Sequence, residues 1–63
     1  MEVRIARIRK GLKLKELAEL VGISVNSLVK IEKGETKLPR VQTINKLCEV
    51  LDKTAQELFF NNL

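Results

Sequence analysis

Histidine, tryptophan and tyrosine are absent from this 63-residue chain, and cysteine occurs once. One cysteine cannot close an internal disulfide, and without histidine there is no Cys/His zinc site. Nothing covalent or metallic staples the fold, no cofactor or metal is expected, and a reducing, cytoplasmic setting suits it. The lack of histidine also removes the usual general base and the common nucleophile–histidine triads. A ligand pocket of roughly 300 Å³ or more would hollow out so small a core, so an enzyme is not expected. Glycine and proline total three and one, with no repeat or low-complexity stretch, which leaves no linker. No apolar run approaches the roughly 20 residues that span a bilayer. Arg4, Arg7, Arg9 and Lys10 interrupt the N-terminus where a signal peptide would be apolar. Neither export nor a membrane span is expected.

What is present is the balance of a soluble globular domain, 44% hydrophobic and 32% charged. A single domain over residues 1–63 is expected. A chain of this length buries only about 60% of its unfolded surface, so it needs a compact helical design or a partner subunit. The net charge of +4 is unevenly spread. Residues 1–40 hold ten Lys/Arg against five Asp/Glu, and residues 41–63 hold two against three. A basic surplus on one part of the chain is what a polyanion-binding face produces, although a merely solvated surface can carry one too.

Apolar residues recur at helical spacing almost throughout, and no stretch alternates in the manner of a strand, so the chain reads as all-α. The first helix runs from Glu2 to Lys10 and stops at Gly11; Ile5, Ile8 and Leu12 form one apolar stripe and Val3 with Ala6 another. A second, Leu14 to Val21, places Leu17, Ala18, Leu20 and Val21 on a core stripe. Lys13 stands where Ser, Thr, Asn or Asp would cap it, so about 1 kcal/mol of capping is missing. Ser24 caps a third helix with Leu28 and Ile31 inward, closed by Gly34 after Lys33. Val25, Asn26, Val29 and Lys30 then face elsewhere. A loop ends at Leu38-Pro39-Arg40, and a fourth helix, Val41 to Leu51, buries Ile44, Leu47, Cys48 and Leu51. Cys48 packs as a small hydrophobe rather than a reactive thiol. Thr54 with Glu57 forms a capping box that opens a short fifth helix carrying Leu58, Phe59 and Phe60.

The second and third helices, each about two turns, are joined by Gly22-Ile23-Ser24, the layout of a helix-turn-helix. The stretch LKELAELVGISVNSLVKIEKGETKLPR, Leu14 to Arg40, resembles the DNA-binding domains of phage repressor and Cro proteins and the wider bacterial Xre-type family. The resemblance extends to the first-helix arginine, the Gly34-x-Thr36-x-x-Pro39 loop and the capped last helix. It implies a compact five-helix, lambda-repressor-like fold that binds operator DNA as a homodimer and controls transcription, in a bacterial or phage-encoded, nucleoid-associated protein.

By that resemblance Val25, Asn26 and Lys30 point at base edges. Asn26 can pair with adenine N6 and N7, Lys30 can donate to guanine O6 and N7, and Val25 can touch a thymine methyl. Lys13, Ser24, Lys37 and Arg40 are expected on the DNA backbone, with Arg40 in or beside the minor groove. The chain departs from the family at Lys13-Leu14, where a capping residue followed by Gln is common. Leu14 is then expected to pack against Val25 as an apolar groove edge; alternatively Leu14, Val25 and Val29 form a protein-binding patch. Arg7 and Glu32 are expected to make an interhelix ion pair that leaves part of the guanidinium free for a phosphate. Leu58, Phe59, Phe60 and Leu63 are the expected dimer interface, unless they complete the monomer core. With no sensor domain in view and no small-molecule effector expected, a Cro-like repressor of double-stranded DNA fits best. RNA binding lacks an aromatic stacking platform beside the basic face. The remaining rival is an antitoxin-type protein-interaction module on the same fold.

Overall fold

The computed structural model describes residues 2–36 and 38–60. Five helices follow in order: α1 (Glu2–Arg9), α2 (Leu14–Val21), α3 (Val25–Glu32), α4 (Val41–Leu51) and α5 (Ala55–Phe59). No strand occurs among the described residues, so the all-α expectation holds. Helix α2 packs on α3 and α4; α1 packs on α3, α4 and α5; α5 also meets α4. Each of these helices is too short to be stable alone in water, so burial of one face must hold it. Leu17, Leu28, Leu47 and Leu51 supply the fully buried centre, joined by Val3, Ala6, Ala18, Ile31 and Leu58. Each such leucine contributes about 1.5–3 kcal/mol of transfer free energy.

Helical periodicity decides between stripes that the sequence leaves competing. On α1, Val3 and Ala6 are buried while Ile5 and Ile8 are exposed. Arg7 lies on the same side as Val3 and Ala6, and its partner Glu32 is in the interior, so the ion pair sets the rotation of α1. Leu20 is half exposed, contrary to the expected core stripe. The buried face of α2 follows Leu14, Leu17, Ala18 and Val21, and Leu20 stands about 100° away from it.

The helix ends are satisfied locally. Lys13 offers no acceptor, but its backbone N–H donates to Glu16 Oε1 at 2.8 Å, so α2 keeps half of a capping box. Gly22 ends α2 at φ 83°, and the N–H groups of Gly22 and Ile23 both donate to the Ala18 carbonyl. Only a residue without Cβ takes that left-handed turn at little cost. Thr54 and Glu57 make the full reciprocal box at the start of α5, 2.9 Å and 3.1 Å. The Thr54 backbone N–H that donates to it, and secondarily the Thr54 side chain beside it, hold the Glu57 carboxyl below the ordinary glutamate range. Burial pushes the thiol of half-buried Cys48 up.

The Arg7–Glu32 pair is bidentate: Nε donates to Oε2 at 2.8 Å and Nη2 to Oε1 at 3.3 Å. Nη1 donates to the Leu12 carbonyl at 2.9 Å, so three of the five guanidinium N–H groups are engaged and one on each terminal nitrogen has no partner among the described residues. A second expectation is corrected at the C-terminus. Leu58 is only 6% exposed, because α5 lays it against α1 and α4, and it cannot form an interface between copies. Phe59 and Phe60 are half-buried with ring centroids 6.5 Å apart; Leu63 lies outside the described residues.

Two predictions follow from this packing. Arg7→Met or Glu32→Leu alone should each cost about 3 kcal/mol or more, because a charge is left buried without its partner, while the double variant recovers most of the loss. Urea denaturation of the three variants checks this; a double variant as unstable as the sum of the singles would contradict it. For Glu57, a lowered folded-state pKa adds stability above the ordinary glutamate range and loses it as pH falls through the folded value. Glu57→Gln should therefore lower Tm at neutral pH, and the gap from wild type should close in thermal melts at pH 2.

Candidate nucleic-acid interface

The site is built on the α2–turn–α3 corner. Ser24 takes an extended conformation at the N-cap of α3, and its hydroxyl oxygen accepts the Ser27 N–H at 3.1 Å. Leu28, Ile31 and Glu32 turn inward, which at about 100° per residue sends Asn26 and Lys30 directly outward. Both are exposed, as is Val25 at 39%.

Two concavities flank α3. The larger, about 450 Å³, lies between α3 and the 36–43 segment. Ser24, Ser27 and Lys30 form one wall, Thr36, Arg40 and Thr43 the other, and Ile31 with Pro39 lies below. Pro39 is buried and anchors the loop, which leaves Arg40 exposed beside Leu38 at 65% and Val41 at 72%. On the other flank a cleft of about 240 Å³ between α1, α2 and α3 is lined by Leu14 and Val29, by Arg4, Arg7 and Lys33, and by the Glu32 carboxylate that pairs with Arg7. Leu14 therefore shares its cleft with Val29, and Val25 does not line it.

The structure thus brings Ser24, Lys30 and Arg40 to one groove, with Val25 and Asn26 on the adjacent exposed turn; Lys13 is exposed at the start of α2. Lys37 lies outside the described residues. Two groove hydroxyls, Ser27 and Thr43, and the exposed apolar pair Leu38 and Val41 were not singled out by sequence reasoning, which named Thr36 only as part of the loop motif. Ser27 had a usable signal, since it is three residues from both Ser24 and Lys30 and shares their helical stripe. Thr43 had none, because its placement depends on how α4 meets α3. Among the described residues no cluster of His, Cys, Asp and Glu could hold a metal, and no helix is long and apolar enough to cross a membrane.

A family model described as helix-turn-helix matches residues 3–58. The HTH-type transcriptional regulator SlrR of Bacillus subtilis (strain 168) is 39% identical over 57 residues, covering 90% of this chain and 38% of that protein. The chain therefore spans well under half the length of that relative. No solved structure gives a significant match.

The exposure of the outward residues and the cap beneath them make separable predictions. Ser24→Ala should destabilise the fold by about 1 kcal/mol through the lost cap. Asn26→Ala and Lys30→Ala should stay within about 0.5 kcal/mol of wild type, as surface substitutions do. Chemical denaturation monitored by circular dichroism distinguishes them, and a large loss for either Asn26 or Lys30 would mean that the side chain is packed inside.

Proposed function

The chain belongs to the Xre/Cro-like helix-turn-helix family, and from that premise we propose that it is a sequence-specific duplex-DNA-binding regulator of transcription. The single observation that carries the proposal is the Ser24-capped α3, which projects Asn26 and Lys30 outward beside a groove walled by Arg40. An α-helix fits the major groove, where each base pair displays its own pattern of donors and acceptors. In this reading Asn26 pairs with an adenine, Lys30 donates to a guanine, and Val25 meets a thymine methyl. Lys13, Lys37, Arg40 and the N-terminal backbone of α4 hold phosphates and set the register, because backbone contacts position while base contacts specify.

The regulator is proposed to act as a repressor, occupying a pseudo-palindromic operator as a homodimer, since one such helix reads only a half-site. With Leu58 committed to the core, Phe59, Phe60 and Leu63 are what remains of the expected interface with a partner copy, Leu63 lying outside the described residues. The basic surplus of residues 1–40 supplies the long-range attraction to a polyanion.

Selection of bound sequences from random duplex DNA tests the proposal. A two-fold symmetric motif should emerge, and log K for it should fall with log salt by about 0.9 for each phosphate neutralised. Lys30→Ala and Arg40→Ala should each weaken that binding about tenfold or more without changing Tm. Failure to enrich any sequence sinks the reading; unchanged affinity in both variants sinks the assignment of these residues. Binding of a protein partner through the same face, with no DNA retained, would favour the antitoxin-type module.

A further inference from the structure

Across α3 from the α3–α4 groove, the smaller cleft between α1, α2 and α3 joins an aliphatic lining to a surplus of positive charge. Leu14 and Val29 supply the lining, and both are half-buried. Leu14 rests on the core behind it, so its open side is held in place. Arg4, Arg7 and Lys33 bring three positive charges against the single carboxylate of Glu32, which Arg7 already pairs with at 2.8 Å. Arg4 and Lys33 are exposed and make no ion pair among the described residues. Arg4 and Arg7 stand one turn apart on α1, a like-charge spacing that is unfavourable until a further anion joins it.

Size and composition together select the occupant. About 240 Å³ falls short of the roughly 300 Å³ at which pockets for drug-sized ligands begin, and it suits one or two side chains of a larger partner. A sugar–phosphate strand would bring the anion but nothing aliphatic, leaving Leu14 and Val29 against charge. A peptide presents both groups within one helical turn: an aliphatic side chain for the lining, and Asp or Glu carboxylates that an arginine can take through two parallel N–H groups. Leu14 is what makes the cleft apolar. The Gln common in the family at this position would put an amide there, so the feature belongs to this chain.

We propose that the cleft docks an acidic segment of a partner protein, with a Leu- or Ile-type side chain seated on Leu14 and Val29 and flanking carboxylates on Arg4 and Lys33. The surface is separate from the α3–α4 groove, and the proposal holds whether or not the chain binds a duplex.

The test is selection of displayed random peptides on the immobilised full chain, followed by fluorescence anisotropy with the labelled winner. Enriched peptides should carry an aliphatic residue flanked by Asp or Glu, and their affinity should fall with added salt. Leu14→Gln should weaken the winner about tenfold, and Arg4→Gln and Lys33→Gln about threefold each, the last two without a change in Tm. Those two exposed variants keep the test readable if Leu14→Gln loses stability. Poly-aspartate, which has the charge without the anchor, should bind at least about tenfold more weakly than the winner. Winners without acidic residues, a winner indifferent to the Arg4 and Lys33 variants, or poly-aspartate binding equally well would each overturn the proposal. If no peptide is enriched while Arg4→Gln and Lys33→Gln weaken binding to the selected duplex, the cleft holds a phosphate: the proposal falls and the duplex-binding reading stands.

Discussion

A buried carboxylate costs several kcal/mol unless it is fully partnered, and Glu32 is 7% exposed at the end of the helix that carries the candidate interface. Its partner, Arg7, reaches it from α1 and anchors its remaining nitrogen on the Leu12 carbonyl, in the segment that leads into α2. One guanidinium therefore ties together three parts of the chain. It fixes the rotation of α1, which is why Val3 and Ala6 are inside and Ile5 and Ile8 are outside. It also fixes the far end of α3. With Ser24 holding the near end, both termini of that helix are pinned, and the outward direction of Asn26 and Lys30 is set by the interior rather than by the surface.

The two flanks of α3 differ in chemistry. On one, Leu14 and Val29 make an apolar cleft under a cationic rim; on the other, hydroxyls and cations face each other across a wider groove. An apolar residue at Leu14 cannot hydrogen-bond a phosphate, so on the duplex-binding proposal the positioning contacts would shift toward the α3–α4 side. Arg40, carried past buried Pro39, stands there with no acidic residue on either groove wall among the described residues.

Much of this was legible in the residues themselves. The limits of α2 and α4 follow from Gly22, Pro39 and the leucine spacing, and Thr54 with Glu57 announces α5 directly. The Arg7–Glu32 pairing came from family resemblance, supported by the cost of a carboxylate beside the core. What failed did so where a single helix cannot arbitrate. Two apolar stripes on α1 were equivalent until the ion pair chose one, and Leu20 looked inward because leucine usually is. Leu58 could not be divided between core and interface without knowing where α5 docks. The Glu16 carboxylate that relieves the missing cap at Lys13 was readable as a half box, since the acid sits three residues on. Thr43 entered the groove only through tertiary placement.

Helix α3 has eight residues, a length of about 12 Å, which on the duplex-binding proposal would lie along only three or four base pairs. A word of four letters in a four-letter alphabet recurs about once in every few hundred positions. A genome presents on the order of a million or more competing sites, so an address within it takes about ten letters. On the duplex-binding proposal the brevity of α3 would cap the information that one molecule reads, and a unique address would have to be spelled by more than one of them.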